Sequence, residues 1–354
     1  LTLIFKVDPT NPDQDTIRRA ANILRSGGIV AFPTETVYGL GAVVFNEQAA
    51  RRVYTVKQRP PDNPLIIHIS SLEMLSLVAG DISEKEARLI EKFWPGPLTL
   101  VLPRNPRVPR VVSGGLDTVA VRMPAHPVAL TLIREVGEPI AAPSANLAGK
   151  PSPTTAEHVI QDLYGKIDAI IDGGETLYGI ESTIINARTN PPTLLRPGAY
   201  PVEEIEQVLG EKITIPNYAR GLEEASAALA PGMRYKHYAP ETPLVLVDPV
   251  SSKIDVLVSK MLSTIRELYD KCSRICVVSC RETASIYRSL QKVYVIEIGS
   301  RENIFEVARN LFKTLRTLDS LKCDIGVVEG FEDRGLGLAV MNRLRKASYR
   351  RVLA

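Results

Sequence analysis

Short apolar, β-rich runs alternate with segments of helical period along nearly the whole chain. That alternation constrains the fold most, because strands joined by helices build α/β sheets with right-handed crossovers. Strands are expected at 29–32, 65–69, 98–102, 118–122, 169–172 and 182–186. Ile17, Ala20, Ala21 and Leu24 stripe a first helix that Gly27-Gly28 ends. A second follows Asn46 and runs to about Lys57. Ser83-x-x-Glu86 is a capping box for a helix closed by Pro95, Thr154-x-x-Glu157 opens another, and Gly210 stops one over 202–209. Residues 211–242 then break the pattern. After them strands at 244–247, 275–278, 293–298 and 325–329 alternate with helices at 254–269, 283–290, 304–318 and 338–347. The expected organisation is a first domain over 1–210, a linker or lid over 211–242, and a smaller Rossmann-like parallel β/α domain over 243–354.

With 354 residues, 45% of them hydrophobic and 23% charged, the chain has the composition of a soluble globular protein of two domains. A net charge of +3 argues against a polybasic nucleic-acid arm. No apolar run reaches the ~18–20 residues that span a bilayer. Residues 1–5 are too short for a signal-peptide core, so a cytoplasmic location without membrane contact is expected. The cysteines are Cys272, Cys276, Cys280 and Cys323. On a strand, residues four apart lie ~13 Å from each other, too far for one metal or a local disulfide. Buried free thiols are the expectation.

Chemistry concentrates where apolar runs break. Phe32-Pro33-Thr34-Glu35-Thr36-Val37-Tyr38-Gly39-Leu40-Gly41 places hydroxyls, a carboxylate and two glycines at a strand end, where open α/β sheets bind ligands. Lys57 and Arg59 end a helix before a proline-rich turn, as solvated dipole-compensating cations or as phosphate contacts. Ser144-Ala145-Asn146 follows another broken apolar run, and Ser152 stands between two prolines. These are either turn caps or donors to an anion. Alternation puts Thr118, Ala120 and Arg122 on one strand face, with Arg122 either exposed or clamping a carboxylate. His68 interrupts an apolar strand. Glu181-Ser182-Thr183 and Arg196 repeat the hydroxyl-edge and cation-before-proline themes. Gly335-Leu336-Gly337 is either a tight helix start or a weak nucleotide fingerprint. No phosphate-loop, zinc-protease or nucleophile-elbow motif occurs. An inventory of hydroxyls and cations suits positioning and charge stabilisation at phosphate, without a covalent enzyme intermediate.

Pro33-Thr34-Glu35-Thr36-Val37-Tyr38-Gly39-Leu40, Lys57-x-Arg59-Pro60 with Asn63-Pro64-Leu65, and Pro143-Ser144-Ala145-Asn146 together resemble the YrdC domain. Pro231-Gly232-Met233-Arg234-Tyr235-Lys236-His237-Tyr238-Ala239-Pro240, with the later Gly335-Leu336-Gly337 and Asn342-Arg343, resembles the two-domain threonylcarbamoyl-AMP synthase family. The resemblance implies a twisted, open mixed sheet with helices in the first domain. It implies condensation of L-threonine, bicarbonate and ATP into threonylcarbamoyl-adenylate plus pyrophosphate. A separate tRNA threonylcarbamoyl transferase then modifies the adenosine next to the anticodon, and tRNA itself is not required. On this resemblance Lys57 and Arg59 are the catalytic cations. They bind ATP or AMP together with Thr118, Ser144, Asn146, Ser152, Arg196 and the lid residue Tyr235. Thr34, Tyr38, His68, Arg122, Ala142 and Ser182 form the threonine pocket, with Arg122 on the carboxylate. The protein holds no metal itself, since Mg²⁺ arrives through the ATP phosphates. Two rivals are a non-enzymatic tRNA or double-stranded RNA-binding module and a hydrogenase-maturation carbamoyl transferase. Against the first stand this sequence's mild net charge and its lack of aromatic-rich RNA-binding motifs, and the second carries zinc-finger cysteines that this sequence does not show.

Overall fold

The computed structural model describes residues 1–234 and 237–354. They divide into two compact units. The first comprises 1–148, 152–219 and 224–234; the second comprises 149–151, 220–223 and 237–354.

Unit 1 begins with β1 (Leu3–Lys6), α1 (Gln14–Arg25), β2 (Val30–Phe32), β3 (Gly39–Val43), α2 (Glu47–Lys57) and β4 (Ile66–His68). It continues with α3 (Leu72–Val78), α4 (Glu84–Phe93), β5 (Leu98–Pro103), β6 (Thr118–Arg122), α5 (Pro127–Val136) and β7 (Ile140–Ala141). Next come α6 (Ala156–Leu163), β8 (Ala169–Asp172), β9 (Thr183–Asn186), β10 (Thr193–Arg196) and α7 (Val202–Leu209). A single turn, α8 (Asn217–Arg220), ends the series, its last residue belonging to unit 2. Local chemistry sets the helix ends. Asp13 accepts from the Thr16 N–H to start α1, and Asn46 accepts from Ala49 to start α2. Both halves of the Ser83/Glu86 capping box form. Thr155, not Thr154, caps α6, its side chain accepting from the His158 N–H; Thr154 N–H donates to His158 Nδ1 at 3.1 Å.

The sheet of unit 1 is mixed and ten-stranded, in the order β1-β8-β2-β3-β7-β4-β6-β5-β9-β10. β2-β3, β3-β7, β4-β7, β5-β6 and β9-β10 are antiparallel; β1-β8, β2-β8, β4-β6 and β5-β9 are parallel. Alternation alone implies parallel neighbours, so the antiparallel β2-β3 hairpin is what sets Pro33–Tyr38 apart as a loop. α1 and α5 bury Ile17, Ala20, Leu24, Leu132 and Ile133 against β1, β2, β7 and β8. A separate cluster at the β4-β6-β5-β9-β10 end packs Ile66, Val101, Ala120, Ile184 and Leu195 against Ala225, Ala230 and Met233. Part of the irregular segment therefore folds with unit 1, held by apolar burial instead of hydrogen-bonded elements.

Unit 2 holds β11 (Leu244–Asp248), α9 (Ile254–Leu268), β12 (Ile275–Cys280), α10 (Arg281–Arg288) and β13 (Val293–Gly299). After these come α11 (Ile304–Ser320), β14 (Ile325–Glu329), α12 (Leu336–Ala347) and β15 (Arg350–Leu353). Its sheet is parallel throughout, in the order β13-β12-β14-β11-β15. Glu329, buried at the end of β14, accepts from Thr283 (2.6 Å), Tyr287 (2.7 Å), Arg301 (2.9 Å) and the Cys280 N–H (3.1 Å). The Gly335 and Gly337 backbones need glycine for their own loop: Gly335 has φ 55°, and a Cβ on Gly337 would collide with the Glu332 carbonyl. One expectation fails. Cys276 and Cys323 are joined, with Cα atoms 5.8 Å apart, and only Cys272 and Cys280 are free. The strand argument excluded bonds within 272–280, but β14 lies beside β12 and brings a cysteine from 47 residues away. Titration of the denatured, unreduced protein should therefore count two thiols; a count of four would show that the bond does not form.

Candidate active site

The Pro33–Tyr38 loop is buried throughout and supplies its own hydrogen-bond partners. Thr34 Oγ1 donates to the Val37 carbonyl at 2.7 Å and accepts from the Thr36 N–H at 3.2 Å, fixing a tight hydroxyl-capped turn. Three backbone bonds then draw other loops to it. Ala145 N–H reaches the Tyr38 carbonyl (2.8 Å), Tyr38 N–H reaches Pro153 (2.9 Å), and Tyr178 N–H reaches Glu35 (2.9 Å). Residues distant in sequence thus meet around one hairpin. Gly41 is required in β3, since a Cβ would lie 2.7 Å from Ile140 and 2.8 Å from Phe32.

Lys57 is not a solvated surface cation: it is 1% exposed. Gln58 ends α2 in the left-handed region (φ 55°). The Lys57 ammonium donates to the Ser144 carbonyl at 2.5 Å and to the Asn146 carbonyl, which ties the 144–146 loop to α2. Arg59 is half-buried and donates to the Asn63 (3.1 Å) and Pro64 (2.9 Å) carbonyls. The register Ile66↔Ala120 sets Thr118 level with Pro64, at the same end of the sheet. Asn146 is buried, and its Nδ2 donates to the Leu147 carbonyl at 2.8 Å.

At the other end of β4 and β6, His68 pairs in register with Arg122. The two ends are four residues apart along a strand, or ~13 Å. Arg122 is 3% exposed and Glu35 4%. Arg122 Nη1 donates to Glu35 Oε1 at 2.5 Å, and Nη2 lies 3.3 Å from Thr34 Oγ1 and 3.2 Å from Thr36 Oγ1. His68 Nδ1 lies 3.0 Å from the Ile66 carbonyl, which can only accept, so Nδ1 carries the proton and Nε2 faces Arg122 Nη2 at 3.4 Å. Burial, then the Arg122 charge, lowers the His68 pKa to about 3, so the ring is neutral near pH 7. Ala142 is buried and donates its N–H to the Ile66 carbonyl at 2.9 Å. Tyr38 is fully buried, but its hydroxyl is turned to the Gly174 carbonyl (2.7 Å) and the Gly173 N–H (3.2 Å), and burial raises its pKa.

A third group joins them beside β9. Ser152 Oγ donates to Glu181 Oε1 at 2.5 Å, and Ser182 Oγ lies 2.7 Å from Thr99 Oγ1. Arg196 is buried; its Nη2 donates to the Ser182 carbonyl (2.9 Å) and hydroxyl (3.2 Å), and its Nη1 to the Pro231 carbonyl at 3.4 Å. Gly198 permits this approach, because any Cβ there would overlap the backbone of 181–183. In unit 1, hydroxyls, amides and three desolvated cations thus surround the 33–38 hairpin. Such a site can bind phosphate at one end and a small zwitterion at the other.

Comparison with known proteins decides the family. The family model described as telomere recombination, for Sua5, YciO and YrdC proteins, matches residues 22–198. The model of the threonylcarbamoyl-AMP synthase C-terminal domain matches residues 200–348. The chain belongs to the two-domain threonylcarbamoyl-AMP synthase family. It is 50% identical over 338 residues to the threonylcarbamoyl-AMP synthase of Pyrococcus abyssi, covering 95% of each chain. It is 45% identical to that of Bacillus subtilis, over 98% of this chain and 96% of the relative. The crystal structure of Pyrococcus abyssi Sua5 complexed with L-threonine superposes with a TM-score of 0.90 at 49% identity, covering 100% of both chains.

Within this threonylcarbamoyl-AMP synthase family member, the residues that sequence assigned to the ATP and threonine sites lie in the three groups above, except Tyr235, which lies outside the described residues; Gly335-Leu336-Gly337 and Asn342-Arg343 lie in unit 2. Sequence reasoning assigned no role to Glu35, Thr36, Thr99 or Glu181. Glu35 stands in the quoted motif, but its partner is 87 residues away. The pKa of His68 carries a consequence for stability. Its folded value of about 3 lies below the ordinary 6.5, so as pH falls below about 6.5 the unfolded chain takes a proton that the folded chain refuses. Folding stability therefore falls with pH, and His126, lowered to about 4 by burial, adds to the effect. Denaturant unfolding at pH 7 and 4.5 should show that His68→Gln loses less stability than wild type, by about 1.4 kcal/mol per pH unit. Equal losses would mean that His68 protonates normally in the fold.

Proposed function

We infer that this chain condenses L-threonine, bicarbonate and ATP to threonylcarbamoyl-AMP, releasing pyrophosphate. The observation that supports the reading is the burial of Lys57, Arg122 and Arg196 beside hydroxyl and amide donors in unit 1, on a chain whose relatives bear the synthase name along both domains.

Threonine would sit at the Arg122 end with Thr34, His68, Ala142 and Ser182, the neutral His68 ring adding no second positive charge. The Tyr38 side chain would wall the pocket instead of reaching the substrate, since its hydroxyl bonds to 173–174. Lys57, Arg59, Ser144, Asn146, Ser152, Thr118 and Arg196 would hold the nucleotide. Threonine's amine and bicarbonate give a carbamate whose oxygen attacks the α-phosphorus. The negative charge that develops there calls for preorganised cations and donors, not for a protein nucleophile. Lys57 is preorganised because two carbonyls fix its ammonium. Among the described residues no group of three or more His, Cys, Asp or Glu side chains could hold a metal. A Mg²⁺ ion would come on the triphosphate oxygens and offset their charge. The segment 224–234, packed over Ile66 and Ala120, would limit water access to the labile carbamate and anhydride. Among the described residues no helix is long and apolar enough to cross a membrane. The product would pass to a separate tRNA-modifying transferase.

Pyrophosphate release should require ATP, threonine and bicarbonate together and yield a product of threonylcarbamoyl-AMP mass. Release that ignores threonine would remove this reading. Lys57→Ala or Arg59→Ala, with its melting temperature checked, should lower turnover by ~10²-fold or more; near-normal turnover would remove that residue from the phosphate site.

A further inference from the structure

Arg122 and Glu35 could engage through two parallel hydrogen bonds, as guanidinium and carboxylate groups commonly do. They do not. A single bond joins Nη1 to Oε1. Arg122 Nε and Glu35 Oε2 are both buried with no hydrogen-bond partner. Arg122 is 3% exposed and Glu35 4%, so bulk water does not serve them. One buried ion pair therefore keeps one donor and one acceptor unused, an arrangement that is costly unless something else meets them.

We propose that Glu35 is a substrate-contacting residue whose free oxygen, Oε2, receives the α-ammonium of the amino-acid substrate, while Arg122 receives its α-carboxylate. The inference rests on the threonine pocket proposed above. An α-amino acid carries the reciprocal pair of groups on one carbon. The pair Arg122–Glu35 is neutral overall and so is a zwitterion, which leaves no uncompensated charge in the desolvated site. With Arg122 alone, the ammonium would be buried beside a guanidinium and a neutral imidazole, with no anion to meet it. Thr34 and Thr36 fix Arg122 from the loop that also carries Glu35, so both recognition atoms are set by one hairpin.

The test compares L-threonine with its 2-hydroxy acid analogue, in which a hydroxyl replaces the ammonium, by titration calorimetry on the full chain. Wild type should bind threonine at least ~10-fold more tightly, the scale of a hydrogen bond to a charged group. Glu35→Gln should weaken threonine ~10- to 100-fold, leave the hydroxy acid within about threefold, and leave ATP affinity unchanged. Loss of both ligands by the same factor would overturn the proposal and make Glu35 only a support for Arg122. If the variant does not fold, the wild-type ratio decides: equal affinity for the two ligands overturns the proposal. Wild-type protein that binds threonine and releases pyrophosphate without discriminating against the hydroxy acid sinks this inference alone. Wild-type protein that binds no threonine removes the pocket itself.

Discussion

Desolvated positive charge governs the architecture of unit 1. Lys57, Arg122 and Arg196 are 1%, 3% and 4% exposed. Burying an ion costs several kcal/mol unless oxygen atoms replace its water. Here the oxygens come from loops: the carbonyls of Ser144 and Asn146 for Lys57, those of Ser182 and Pro231 for Arg196, and the Glu35 carboxylate for Arg122. Each cation therefore orders the loop that solvates it. The loops at 144–146, 181–183 and 33–38 are thereby held against the sheet by the charges they solvate.

The backbone has to come unusually close for this to work, and small residues are placed accordingly. Gly41 lets β7 and the Phe32 ring pack on β3, which brings Ser144 opposite Gly39. Gly198 lies against the backbone of 181–183, which puts Arg196 within reach of the Ser182 carbonyl. The irregular segment 224–234 needs no strand or helix of its own, because Ala225, Ala230 and Met233 bury apolar surface on the sheet and the Pro231 carbonyl meets Arg196.

Much of this was legible in the sequence, for physical reasons that can be stated. Long periodic helices such as α1 and α11 and the Val/Ile-rich strands of unit 2 carry their own signal, because burial on one face imposes a period. Short central strands do not. β7 has two residues, and β3 opens with Gly39-Leu40-Gly41, which reads as a turn until its neighbours are known. The strand face holding Thr118, Ala120 and Arg122 followed from alternation, but whether Arg122 was exposed or clamped could not follow from it. The Cys276–Cys323 bond depends on β14 lying beside β12, a fact of strand order instead of spacing.

Glu35 marks where such reading ends. A carboxylate next to two threonines in a strand-end loop has the local appearance of a capping residue, and nothing within ten residues of it carries a positive charge except Arg25. Its meaning comes from Arg122, which β6 delivers beside β4, which β7 in turn joins to the β2-β3 hairpin. Five strands must be placed before the pair exists. Local sequence thus specifies where polar groups emerge from the sheet, while sheet order specifies which of them meet. Recognition of a small zwitterion needs two opposite charges a few ångströms apart, so it is encoded in that second layer.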